Sequence, residues 1–303
     1  MFLDRILAVL VLVGAWLFPA RGWAQACCAG ASAVTPGRLE LHEAALAGVQ
    51  LRAAGVFGHY TAQGRYVPSP SVDPEDDFEQ DLFGAVRVLR RGQIALLVPF
   101  VETMRATPQD GSHIGGGVGD VNLSARYDFV RAGEARFVPG IALLAGVTFP
   151  TGAPVESVPT SPLAVDATGV GAFQGNVALA LERAFGPWLV NATTIVAART
   201  PRFGQTLGTQ VTVLAATAYT FGNDAALALS ASYAFEGDAV ATDGMDVPFS
   251  SKRVAIVTVS ALWPVGDAWR LIGGAFLAPP VDALGSNQPV TGGLTITLIR
   301  SWS

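Results

Sequence analysis

Few residues in this chain have the types and spacing needed for bond-making chemistry. The three histidines, His42, His59 and His113, are few and widely separated, and no histidine or carboxylate is spaced near the cysteine pair Cys27-Cys28 to complete a site. Neither a metal site nor a cofactor is therefore expected. His113 follows Asp110-Gly111-Ser112, which makes a Ser-His or Asp-His hydrolase a candidate. Neighbouring residues on a flexible glycine loop are poorly preorganised for such a dyad, and no enzyme is expected. Gly115-Gly116-Gly117-Val118-Gly119 has the glycines of a phosphate loop but lacks the Lys-Ser/Thr that follows one, and it opens a strand pattern instead of a helix. Asp73, Glu75, Asp76, Asp77 and Glu79 form an acidic run. It reads as a solvated outer loop, with divalent-cation binding as the alternative. His42-Glu43 reads as a polar rim pair.

The chemistry the chain does announce is that of partition between oil and water. Arg5 precedes an apolar run from Ile6 to Phe18, and Ala24-Gln25-Ala26 supplies a small-x-small cleavage pattern. Residues 1–26 thus read as a secretory signal peptide, the run being shorter than the about 20 residues of a membrane helix. Cys27 and Cys28, the only cysteines, follow directly. Sequence neighbours cannot cross-link distant parts of a chain, so they form no disulfide framework; a lipid-modified Cys27 is the candidate use. The whole chain is 50% hydrophobic with 14% charged residues, against the about 25% charge of ordinary soluble domains. The formal charge of −5 argues against nucleic acid as a partner.

A β-barrel reconciles an apolar composition with the absence of long apolar runs. Asp120 to Phe129 shows the pattern: Val121, Leu123, Ala125, Tyr127 and Phe129 alternate with Asn122, Ser124, Arg126 and Asp128. Such alternation makes one oily and one wet strand face. Similar segments occur at about 46–60, 78–90, 93–106, 119–131, 135–149, 171–184, 188–200, 208–221, 225–236, 252–263, 269–278 and 290–302. The expectation is an all-β, antiparallel up-and-down transmembrane barrel of about twelve strands spanning 46–303, preceded by a leader or plug segment at 27–45. Parity places Arg52, Arg87, Asn122, Ser124, Arg126, Asp128, Gln174, Asn176, Glu182, Ser230 and Ser232 toward the interior. The segments at 93–106 and 252–263 are apolar on both faces, as an oily interior patch or a contact with a plug would require.

Connections carry the orientation. Tight turns at Arg90-Arg91-Gly92-Gln93, Arg131-Ala132-Gly133-Glu134, Phe185-Gly186-Pro187, Gly222-Asn223-Asp224 and Pro264-Val265-Gly266-Asp267 alternate with longer segments at 61–77, 107–118, 150–170, 201–207, 237–251 and 279–289. Short periplasmic turns and long outer loops alternate in this way. Phe129, Trp188, Phe221, Trp263, Trp269 and Trp302, with Phe137, fall beside the short turns and form one expected interfacial girdle. Phe57, Tyr60, Phe149, Phe173, Tyr233, Phe235 and Phe276 form the other. Leu294, Ile296 and Leu298 followed by Trp302 resemble a closing barrel strand.

Gly117-Val118-Gly119-Asp120 with Tyr127, and Gly146-Val147-Thr148-Phe149-Pro150-Thr151-Gly152, resemble the outer-membrane barrel family assigned to transport in the phenol-degradation meta-pathway. The resemblance implies a bacterial outer-membrane barrel passing small hydrophobic or aromatic molecules, with no catalytic residues to carry over. The expected partners are outer-membrane lipid, a small-molecule solute and the barrel-assembly machinery. Two alternatives stand beside the channel: a non-conducting structural or surface-display barrel that anchors a partner, and a barrel hydrolase.

Overall fold

The computed structural model describes residues 37–70, 73–134 and 137–303. The expected signal peptide and both cysteines lie outside the described residues. In chain order the strands are β1 (Ala45–Tyr60), β2 (Tyr66–Pro68), β3 (Glu75–Leu89), β4 (Gly92–Thr107), β5 (Gly111–Val118) and β6 (Val121–Val130). Next come β7 (Gly140–Phe149), β8 (Gln174–Phe185), β9 (Trp188–Arg199), β10 (Gln205–Thr206) and β11 (Gln210–Thr220). The chain ends with β12 (Ala226–Glu236), β13 (Val240–Ala241), β14 (Lys252–Val265), β15 (Trp269–Leu277) and β16 (Pro289–Trp302).

Twelve of these form the wall, each hydrogen-bonded to its neighbour along the chain; β2, β5, β10 and β13 are short additions in the long loops. Pairing of β16 with β1, from Ala45↔Trp302 to His59↔Pro289, closes the sheet on itself. Closure leaves no strand edge among the wall strands, and this satisfies the backbone polar groups that hydrocarbon cannot. Among the described residues no helix is long and apolar enough to cross a membrane.

Alternation sets the two surfaces. Val177, Leu179 and Leu181 on β8, Leu227, Leu229, Tyr233 and Phe235 on β12, and Leu294, Ile296 and Leu298 on β16 are exposed on the outside. Edge-to-face rings cluster at the strand ends: Tyr127–Phe129 and Trp188–Tyr219–Phe221 beside the short turns, and Phe149–Phe173 beside a long loop. Arg300 lies over the rings of both Trp269 and Trp302, 5.5 and 5.2 Å from their centroids. A guanidinium there can keep its stem in the apolar layer and its charge in the interface.

The interior is filled by side chains at the short-turn end. Leu46, Leu189, Leu262, Ile272 and Ile299 turn inward from strands around the ring and enclose Leu39. At the long-loop end Tyr60, Ala278 and Val290 form a second buried group.

The structure corrects several sequence expectations. β3 begins at Glu75, three residues before the expected segment, so Glu75, Asp76, Asp77 and Glu79 belong to the wall and not to a solvated loop. The stretch 107–118, expected as a loop, is mostly a hairpin: β4 runs past the neighbouring strand and pairs with β5 from Phe100↔Val118 to Thr107↔Gly111. The connection after β6 is longer than a tight turn because β7 starts only at Gly140, after Pro139, whose ring nitrogen cannot donate to a ladder. Within that connection the Arg131 backbone N–H and the Arg91 guanidinium hold the exposed Glu134 carboxyl below its usual range. Tyr60 and Phe276 point inward instead of joining the outer aromatic girdle; both are buried.

Replacing outward-facing Leu179 by Arg at the middle of β8 is expected to cost about 2–4 kcal/mol, because a desolvated charge replaces an apolar side chain. The same change at inward Ser232 is expected to cost less than about 1 kcal/mol. Urea unfolding of the refolded barrel in lipid checks the difference.

Candidate functional site in the barrel interior

On β6 the strand alternation turns Asn122, Ser124, Arg126 and Asp128 inward while Leu123, Tyr127 and Phe129 are exposed outside. Arg126 reaches across β7 to Glu182 on β8 at 2.9 Å and also holds Asp128 at 2.9 Å. Glu182, only 3% exposed, takes a second cationic contact from Arg38 at 2.6 Å and a hydrogen bond from the Asn191 side-chain amide at 3.3 Å. One buried carboxylate is therefore shared by two guanidiniums. A charge removed from water needs such partners, and removing one leaves the others uncompensated.

Arg38 does not belong to the wall. Residues 37–44 lie inside the short-turn mouth, tied down at several points. The Leu39 N–H donates to Gln93 Oε1 at 3.1 Å, and Gln93 Nε2 donates to the Gly37 carbonyl at 3.3 Å. Arg87, on β3, donates through Nε to the Glu43 carbonyl at 2.8 Å and through a second nitrogen to the Glu40 carbonyl. Arg270 pairs with Glu40 and, at 2.8 Å, with Glu43. His42 is exposed at the rim and approaches Glu40 at 3.9 Å, while its sequence neighbour Glu43 is buried.

Toward the long loops, β3 carries Glu75, Asp77, Glu79 and Asp81 at successive inward positions. Arg105 holds Glu75 at 2.8 Å, the Thr103 hydroxyl donates to Asp77 at 3.0 Å, and Arg52 holds Glu79 at 3.1 Å. Arg52 also lies 4.5 Å from the Phe276 ring centre. Elsewhere on the wall, Arg199 binds Glu236 at 2.5 Å, Gln174 at 2.7 Å and Gln210 at 2.8 Å, with Lys252 at 3.7 Å from Glu236. Asn176 lies on the inward side of β8, and Ser230 and Ser232 on that of β12.

Between the β3 ladder, β4, β6 and residues 37–38 lies a cavity of about 270 Å³. Phe83, Ala95, Leu97 and Leu144 line it with apolar groups, interleaved with the polar side chains of Gln50, Asp81, Asn122 and Ser124. The apolar inner face of 93–106 is thus explained by the cavity, and that of 252–263 by Leu262, which packs in the cluster around Leu39.

The glycine-rich segment has a packing role. Gly115 pairs with the inward residue Thr103, and a Cβ on it would collide with Asp166 and Val165. The 150–170 connection consequently folds over the inner side of the β4–β5 hairpin, where Arg105 donates to the Leu163 carbonyl at 2.8 Å. Asp120 clamps its two ends by accepting from the N–H groups of Gly152 at 2.9 Å and Val170 at 2.7 Å. Ser112 and His113 are consecutive residues of β5 and therefore point to opposite faces, so they do not make a dyad. His113 Nε2 instead lies 2.8 Å from the Asp110 carbonyl. Among the described residues no three histidines, cysteines or carboxylates converge to hold a metal.

A closed, twelve-stranded antiparallel wall with an apolar exterior and a charged, hydrogen-bonded interior is the architecture that spans bacterial outer membranes. The chain is an outer-membrane β-barrel. Among solved structures it is similar to an outer membrane channel from Pseudomonas putida F1, with TM-score 0.70 and 14% identity over 88% of this chain and 97% of that one. The translocator domain of the autotransporter NalP from Neisseria meningitidis overlaps with TM-score 0.47 and 10% identity over 99% of this chain and 98% of that one. The transport unit of the autotransporter AIDA-I from Escherichia coli gives 0.45 and 6% over 90% and 96%. No protein-family profile and no curated protein sequence matches the chain. At these identities the likeness is one of fold.

Sequence parity located the wall residues of this interior but not Arg38, Leu39, Glu40, Glu43 or Arg270, which meet there from opposite ends of the chain. The ladder at 75, 77, 79 and 81 had a legible sign in its strict two-residue spacing. Replacing Arg126 by Met in the Asp128–Arg126–Glu182–Arg38 group is expected to destabilise the barrel by about 3–5 kcal/mol, as breaking a buried pair does. Unfolding midpoints in urea, compared with those of the conservative Arg126→Lys, check it.

Proposed function

We propose that the chain is a channel or facilitator through which small hydrophobic or aromatic molecules diffuse across the outer membrane. The observation that carries this reading is the cavity inside the closed wall, lined by apolar Phe83, Leu97 and Leu144 interleaved with polar Gln50, Asn122 and Ser124. Such a lining suits a solute that is poorly soluble in water and excluded by the charged surface of the membrane. Residues 37–44 act as the plug: they fill the short-turn mouth together with Leu46, Leu189, Leu262, Ile272 and Ile299, so passage requires their displacement. This filling is also what a non-conducting structural barrel would show, and it makes that the second reading.

Planar-bilayer recordings separate the two. Arg38→Ala combined with Arg270→Ala removes the side chains that pair with Glu182, Glu40 and Glu43. The wild-type chain is expected to show small, infrequent openings and the double variant a several-fold larger mean current. Silence from both, with folding verified by heat-modifiable migration, would instead establish the structural barrel.

A further inference from the structure

The charges around the interior cavity nearly cancel, and the exception identifies what the cavity accepts. Arg38 and Arg126 face it, and both are committed to Glu182, with Arg126 also on Asp128. These two cations and two anions balance. Arg52 is committed to Glu79. Of the polar groups, Gln93 is occupied by the backbone of Gly37 and Leu39, and Gln50 Oε1 accepts from the Thr297 hydroxyl at 3.1 Å.

Asp81 stands apart. Its side chain lines the cavity, the residue is only 8% exposed, and its Oδ1 accepts no hydrogen bond. No guanidinium or ammonium forms an ion pair with it among the described residues. A buried carboxylate oxygen left without a donor is costly, and the remedy available in a cavity is a ligand that brings the donor. Beside it the lining is apolar at Phe83, two residues along the same strand face, at Ala95 and Leu97 on the adjacent β4, and at Leu144 on β7, and these positions call for hydrocarbon.

We propose that this cavity is a binding site for small organic cations, with a primary ammonium on Asp81 and a compact apolar body against Phe83, Ala95, Leu97 and Leu144. The site deepens the channel reading, on which it rests for its role as a solute station. At about 30 Å³ per water-sized unit of liquid, a cavity of about 270 Å³ admits a ligand of about nine heavy atoms. The ammonium supplies the donor that Oδ1 lacks and offsets the second carboxyl of the Glu79–Asp81 neighbours, while the body displaces water from the apolar lining residues.

The test uses the full mature chain in detergent and three probes of similar size: 2-phenylethylammonium, the neutral 2-phenylethanol and the anionic phenylacetate. Isothermal titration is expected to show the ammonium bound about tenfold or more tighter than the alcohol, a charge-assisted hydrogen bond being the difference. Asp81→Asn should bring the two to the same affinity, and Leu97→Trp, which adds bulk at the apolar lining, should weaken both. Equal affinities in the wild type, a preference that survives Asp81→Asn, tighter binding of the anion, or no binding of any probe would each overturn the site. Conduction is read separately in bilayers. A chain that prefers the ammonium yet never conducts keeps the site and loses the channel, and a conducting chain without the preference does the reverse.

Discussion

The closure of β16 onto β1 is the interaction the rest of the molecule depends on. In hydrocarbon, an unpaired strand edge would expose a row of N–H and C=O groups, each costing several kcal/mol. An open sheet of this length therefore has no stable place in a membrane, whereas the closed one leaves its wall ladders complete. Closure also fixes the direction of every side chain, because a strand has only two faces and one of them is now enclosed. The apolar exterior and the charged interior are two consequences of one geometric condition.

Enclosure then imposes its own rule on the interior. Arginines and carboxylates that would be loosely hydrated on a soluble surface are brought within about 3 Å of one another, and nearly every one finds a partner: Arg52 with Glu79, Arg105 with Glu75, Arg126 and Arg38 with Glu182, Arg199 with Glu236. Residues 37–44 take part in this pairing as if they were a further wall element. Their Leu39 sits in an aliphatic cluster, and Arg38, Glu40 and Glu43 join ion pairs, so the segment is held by both packing and charge. The two kinds of contact act at different points of the segment, the ion pairs at Arg38, Glu40 and Glu43 and the packing at Leu39.

Much of this was legible in the sequence because the signal has period two and is local. The alternation from Val121 to Phe129 predicts β6 and its two faces without any knowledge of neighbours, and the Gly, Asn and Pro of the short turns mark where strands reverse. The misreadings came where local pattern and context disagree. Glu75, Asp76 and Asp77 look like a loop because consecutive charges usually face water, yet in the barrel the inward members Glu75, Asp77 and Glu79 are held by Arg105, Thr103 and Arg52 from adjacent strands, and Asp76 is exposed on the outer face. The inner aliphatics Leu189, Leu262, Ile272 and Ile299 blur the alternation because they meet a buried residue, Leu39, from outside the wall. Tyr60 and Phe276 stand at strand ends, where rings usually meet the interface, but both are turned inward, Phe276 against Arg52. The Gly115–Gly119 stretch gave no hint of its role, since crowding by Val165 and Asp166 arises from a connection fifty residues away.

The central claim is that one face of each wall strand meets lipid and the other an enclosed aqueous interior. Site-directed spin labels walked singly along residues 176–182 of β8, in a chain with Cys27 and Cys28 replaced by Ser and reconstituted in bilayers, test it directly. Labels at 177, 179 and 181 are predicted to be relaxed by oxygen dissolved in the bilayer, and those at 176, 178, 180 and 182 to be shielded from it. Accessibility that rises and falls without a two-residue period, or equal access of a water-soluble relaxant to both sets, would contradict the account.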